Sequence, residues 1–197
     1  PMKDGYGFEM LDRSAAGRIG RFTTPHGTVT TPTLLPVINP NIPLLSTDTI
    51  KGMGAQMLIT NAYIIWKGEN LRRTALERGV HGLIGWDGPL MTDSGTFQNY
   101  VYGDVDIDPQ TVVEFMFDLV GFDPLWKVMD PACGDGAFLK EALRRGAAAV
   151  AGVDIDPEAI ESARENLQGF EGRYRLFCQD GLADIEGESG FWKEHYD

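Results

Sequence analysis

The chain's 197 residues, 43% hydrophobic and 23% charged, suffice for one domain or two small ones and exclude wholesale disorder. No apolar run approaches the ~18 residues of a membrane span, no signal-peptide pattern opens the chain, and the two cysteines, Cys133 and Cys178, exclude a disulfide scaffold, so a cytoplasmic location is expected. The net charge of −12 is uneven: residues 1–108 carry 9 Lys+Arg against 11 Asp+Glu, residues 109–197 carry 8 against 18, and neither half shows the basic face of a free-standing nucleic-acid binder.

In chain order, an opening loop region gives way to alternating strands and helices. The run 32–39, PTLLPVIN, is an apolar strand ending at Asn39, and Ser46 or Thr47 caps a helix in DTIKGMGAQ. The segment 57–63, MLITNAY, is a second strand turning polar at Asn61. A helix covers much of 68–80, and 89–92, PLMT, leads as a third strand into Asp93. This alternation predicts a parallel α/β sheet or barrel. Further on, Val112, Val113, Met116, Leu119 and Val120 share a helical face in 109–121. WKVMD (126–130) is a strand running into the turn ACGDG, followed by a helix that Gly146 stops. AAVAGVD (148–154), a helix opened by Asp156-Pro157, and YRLFCQD (174–180) complete half of a doubly wound sheet.

Chemistry concentrates at two places. Asn39, Asn61 and Asp93 end three successive strands, the edge where a (β/α)8 barrel gathers catalytic groups. On spacing alone, Asp-Ser-Gly reads more readily as a turn with a capping aspartate. The second place is a Gly-rich turn between strand and helix, with Asp154 twenty residues after Gly134, the spacing of a nucleotide-type cofactor site. Asp130 and Asp135 flank that turn and would repel a pyrophosphate. They suit a ligand carrying an ammonium and a sulfonium, which favours S-adenosylmethionine.

Residues 6–108, through GRIGRFTTPHGTVTTPTLLPVINPN, ITNAYII and MTDSGTFQNYVYGDV, resemble the archaeal tRNA-guanine transglycosylases, barrel enzymes that exchange guanine for a 7-deazaguanine in tRNA. The resemblance implies that Asp93 is the active-site aspartate and that Ser94, Phe97 and Gln98 form the base pocket, with Phe97 stacking on a purine. That family's second carboxylate and its zinc site of three cysteines and a histidine are not found among the 197 residues, so zinc is not expected here. Residues 109–197, through VMDPACGDGAFL, GVDIDPEAI and FCQD, resemble the adenine-N6 DNA methyltransferases. This resemblance places Asp130, Ala132 and Gly134 around the methionine moiety of S-adenosylmethionine, while Gly136, like Gly134, is read from the turn itself as a cofactor-binding glycine that allows close backbone approach. The resemblance also places Asp154 on the ribose, Ile155 against the adenine and Asp180 on its amino group. The plainer reading of Asp180, a strand-end aspartate that starts a turn, is the lesser of the two, and Cys133 reads as a packing residue.

The expected fold class is α/β: a partial (β/α)8 barrel segment over 1–108, then a partial Rossmann-like methyltransferase sheet over 109–197. By resemblance the chain modifies nucleic-acid bases, with DNA or tRNA as partner, or it is a relative of the transglycosylases alone, or a cofactor-binding module without catalysis. No Asn/Asp-Pro-Pro-Tyr/Phe motif occurs, and Asp108 stands where the methyltransferases have threonine, so weak cofactor binding and no methyl transfer are expected. The two resemblances share the string GDVDIDPQT without a linker, the pattern of a joined or chimeric product. Open sheet edges would then favour self-association. Met91, Met116 and Met129 are expected in the core, and His26, His81 and His195 on loops or the surface. The four tryptophans, Trp66, Trp86, Trp126 and Trp192, are expected to pack rather than stack on bases.

Overall fold

The computed structural model describes residues 5–15, 17–95 and 108–180. They fall into two compact units, one within residues 1–105 and the other within 106–189.

The first unit corrects the expected opening loop. Strands β1 (Gly7–Ser14), β2 (Gly17–Thr24) and β3 (Gly27–Thr31) form an antiparallel sheet in the order β1-β2-β3. Its apolar signal is faint because the sheet buries little: β1 has no fully buried residue, and only Gly20 in β2 and Val29 in β3 are enclosed. The turn between β2 and β3 is locked locally, with Thr24 Oγ1 donating to Gly27 O at 3.1 Å and accepting from His26 N at 3.1 Å. The expected strand over 32–39 shrinks to a single parallel bridge, Val37 to Ile59, with Ile38 N donating to Ile59 O at 2.8 Å.

Helix α1 (Thr47–Gly52) starts where Ser46 Oγ accepts from Thr49 N at 3.1 Å. Strand β4 (Leu58–Asn61) leads directly into α2 (Ala62–Lys67) and α3 (Glu69–Ile84), which is interrupted at Gly79, and then into β5 (Leu90–Asp93). β4 and β5 pair in parallel, Leu58 opposite Leu90 and Asn61 opposite Asp93. Ile50, Leu58 and Trp86 form a buried cluster beneath this pair, joined by Ile38, Ile84 and Leu90. Trp86 is therefore a core residue; its Nε1 donates to Pro89 O at 3.0 Å. Met91 departs from the expected core and lies half exposed, on a strand that among the described residues has a neighbour on one side only. Leu34, Val37, Ile42 and Leu44 are also exposed.

In the second unit, α4 (Pro109–Val120) begins at Asp108, whose carboxylate accepts from Gln110 N at 3.0 Å. The sheet is parallel in the order β6 (Lys127–Asp130), β7 (Ala149–Asp154), β8 (Tyr174–Cys178). α5 (Ala137–Arg144) and α6 (Pro157–Asn166) make the crossovers. The core runs through Leu139, Leu143, Val150, Ile160 and Leu167 and includes Cys133, as a packing role requires. On α4 the buried positions are Val112, Phe115 and Phe117, whereas Val120 is exposed. The aromatic contacts explain the shift, since the Phe117 ring packs on Phe122 (5.0 Å between centroids) and on Phe138 (4.7 Å). Met129, on the outer strand β6, is also partly exposed instead of core.

Candidate functional site

Parallel pairing sets one row of polar residues at the end of the first unit's strands. Asn61 faces Asp93 across β4 and β5, and Asn39 lies two positions beyond the Val37–Ile59 bridge, at the same level. Asn61, almost fully buried, does two things. Its Oδ1 accepts from Ile64 N at 3.1 Å and caps α2, while its Nδ2 donates to Asp93 Oδ2 at 3.1 Å. The side chain that starts the helix therefore also fixes the aspartate, whose carboxylate stays exposed. Gly95 closes the turn with φ 73°, and a Cβ there would overlap the Asn61 amide and come within 2.6 Å of Tyr63 Cβ. Ser94 stands beside Asp93, and Phe97 and Gln98 lie outside the described residues. Sequence reasoning placed Asn61 on this edge, as the polar end of an apolar strand, without making it the partner of Asp93, and did not single out Tyr63.

The second unit assembles its carboxylates with main-chain donors. Asp154, at the end of β7, accepts from Asp156 N at 3.0 Å and from Gly134 N at 2.8 Å. These two amides hold its carboxyl below the usual range. Cys133 N donates to Val153 O at 2.9 Å, so the glycine turn is stitched along the strand it must face. Asp130 takes Ala132 N at 3.2 Å, but burial, with the nearby Asp154 charge, raises its pKa. Burial first, then the Asp130 and Asp154 charges, pushes the Cys133 thiol up to about 11, which leaves it protonated at neutral pH.

Asp130, Ala132, Gly134, Asp154 and Ile155 thus surround one strand edge. Gln179 N donates to Asp154 O at 2.9 Å and brings the next residue, Asp180, to the same edge. Gly136 stands apart in role. A Cβ there would meet Ala163 of α6 at 3.1 Å, whereas at Gly134 nothing lies within 4 Å. The arrangement fits a nucleoside-bearing cation: open space over Gly134, an ionised carboxylate at Asp154, and the apolar Ile155 side chain 74% exposed beside it. One buried donor there, Gln179 Nε2, has no partner. Among the described residues, no group of three or more His, Cys, Asp or Glu side chains could hold a metal ion.

The profile of the queuine tRNA-ribosyltransferase family matches residues 12–121, more than half of the chain. The chain belongs to that family. Residues 128–192 match a methyltransferase domain. The chain is 47% identical over 162 residues to the tRNA-guanine(15) transglycosylase of Methanosarcina acetivorans, covering 82% of this chain and 31% of the relative. The Archaeoglobus fulgidus protein of the same name is 44% identical over 164 residues, covering 83% and 32%. The Thermoplasma acidophilum protein is 53% identical over 104 residues, covering 53% and 16%. The chain spans about a third of the length of the first of these relatives. The family match takes in α4, whose Phe117 packs in the core of the second unit.

Proposed function

We propose that the chain handles nucleic-acid bases. Residues 1–108 would present the guanine-recognition edge of a tRNA-guanine transglycosylase barrel, and residues 109–197 would carry a Rossmann-like S-adenosylmethionine site. The observation that carries the first reading is the Asn61–Asp93 pair, which holds an exposed carboxylate at a fixed place on the edge of a parallel sheet. Asp93 there can accept hydrogen bonds from the donor edge of guanine or take up a proton, and Ser94 stands next to it. Calorimetry with free guanine tests this: saturable binding is expected, and its loss in Asp93→Asn is expected. Equal binding by the variant would remove Asp93 from the base site.

The second reading rests on the open space over Gly134 beside the amide-held carboxylate of Asp154. Asp154 would hold the ribose hydroxyls, Ile155 would cover one face of the adenine, Asp180 would accept from its amino group, and Asp130 with the Ala132–Gly134 backbone would line the methionine end. S-adenosylmethionine, when bound, supplies an electrophilic methyl group. The acceptor in this reading is the adenine amino group of DNA. The 197 residues contain no Asn/Asp-Pro-Pro-Tyr/Phe motif, so cofactor binding without methyl transfer is expected. The measurement is titration with S-adenosylmethionine in parallel with transfer of labelled methyl to DNA. Binding abolished by Asp154→Ala, with no label incorporated, is the expected result.

A further inference from the structure

The topology places a group of cations on the same side of the first unit as Asp93. β4 ends at Asn61 on that edge, and β5, parallel to it, starts at the opposite edge with Leu90. The intervening chain must cross from one edge to the other, and α3, whose stretch ahead of the Gly79 break is about 15 Å long at the usual helical rise, makes the crossing. Its first turns therefore lie on the Asp93 side, next to α2. Residues 62–73 hold Lys67, Arg72 and Arg73 against the single carboxylate Glu69, a local excess of positive charge in a chain of net −12.

These cations are held in place. The Arg72 guanidinium lies 5.3 Å from the centroid of the Trp66 ring, and the Lys67 ammonium 5.7 Å from that of Tyr63. Tyr63 is the residue against which Gly95 of the Asp93 turn packs. Arg73 donates to Asn70 Oδ1 at 2.9 Å. Among the described residues, neither Arg72 nor Arg73 has a carboxylate within ion-pair distance. Arginines without carboxylate partners, one of them braced on an indole, keep their donors available for phosphate oxygens.

We infer that Arg72 and Arg73, with Lys67, form a contact surface for the phosphate backbone of tRNA. The strand would be held there while a base is presented at Asp93. This rests on the guanine-edge reading above and adds where the strand is gripped. Phosphate contacts position a nucleic acid without reading its sequence, which is the task left once Asp93 reads the base.

The test uses the full chain and a fluorescently labelled tRNA transcript, with affinity measured across a series of KCl concentrations. Replacing both arginines by glutamine, Arg72→Gln with Arg73→Gln, is expected to weaken binding on the order of tenfold at moderate salt. The slope of log affinity against log salt should flatten by about 1.5, as loss of two phosphate contacts requires. The pair Arg72→Lys with Arg73→Lys should restore most of the slope, which loss of fold would not do. Arg78→Gln, about 9 Å further along α3 toward the opposite edge, should leave the slope unchanged. An unchanged slope in the glutamine pair, or an equal effect at Arg78, would overturn the surface. Free guanine separates the two readings. Guanine binding without the tRNA effect removes only this surface, and the tRNA effect without guanine binding removes only the base-site reading.

Discussion

Both units end a parallel strand in an aspartate, and they secure that aspartate by different means. Asp154 is held by two main-chain amides, Gly134 N and Asp156 N. Asp93 is held by one side-chain amide, Asn61 Nδ2. Main-chain donors belong to the fold and no side-chain truncation deletes them, so the second carboxylate is ionised and fixed wherever the glycine turn folds. The first depends on a residue that can be lost by mutation. It can also be tuned, because Asn61 couples the aspartate to the start of α2.

The largest expected effect concerns what buttresses the second edge. Arg145 donates to Glu141 Oε1 and Asp118 Oδ1, both at 2.6 Å, and to Glu114 O at 3.0 Å, which clamps α4 onto α5. Glu141 is 5% exposed, so Arg145→Ala leaves its charge buried with only two long contacts, Gln110 at 3.4 Å and Arg144 at 3.8 Å. Denaturant unfolding should show a loss of about 3 kcal/mol in the transition that carries the second unit. A loss under 1 kcal/mol would mean that the main-chain framework alone holds that edge. Next in size, Asn61→Ala removes both a helix cap and the Asp93 partner. It should cost about 2 kcal/mol by chemical denaturation and weaken guanine binding, with Asn61→Asp recovering the cap but not the binding.

The two carboxylates of the second unit should answer pH in opposite senses. The folded pKa of Asp154 is depressed by its amide donors, so its ionised form stabilises the fold above the ordinary carboxylate value of 3.8. That contribution is lost as pH falls through the folded value. Asp130 is raised by burial, so its ionised form costs stability once pH passes its folded pKa, and the cost vanishes below 3.8 where both states are protonated. At neutral pH, Asp154→Asn should lower the Tm and Asp130→Asn should raise it. Thermal scans near neutrality and again in acid, where both differences should shrink, check the signs. The smallest effect is chemical. With its thiol pushed up to about 11 and buried, Cys133 should resist a thiol reagent at neutral pH, while the exposed Cys178 reacts. Mass spectrometry of the native protein should find one label, on Cys178.

The strand and helix alternation of β4 through β5 and of β6 through β8 was legible because each strand is an apolar run ended by a polar residue or a turn. The caps were legible as well: Ser46 before α1 and Asp156-Pro157 before α6 act on amides a few residues away. The antiparallel sheet of β1 to β3 was missed. Its strands mix Thr, Gly and Arg and bury almost nothing, so the Pro25-His26-Gly27 turn was the stronger clue. His26 stands exposed in that turn, as expected of a loop residue, but its contact was not legible. His26 stacks on His81 of α3, centroids 3.8 Å apart, a contact between residues 55 positions apart that no local pattern contains.

By itself, then, the sequence determined the local conformations: strand ends, capped helix starts, and the glycine turns beside Asp93 and Asp130. Each depends on backbone preferences and hydrogen bonds spanning a few residues. Tertiary structure decided which of these ends meet. It put Asn61 on Asp93 across 32 residues and Gly134 on Asp154 across 20. It also decided the allegiance of α4, which belongs by family match with the first unit's sequence and by packing with the second unit's core. Periodicity states that a helix has an apolar face. Which surface covers that face is settled by the aromatic rings and the arginine clamp that meet it in three dimensions.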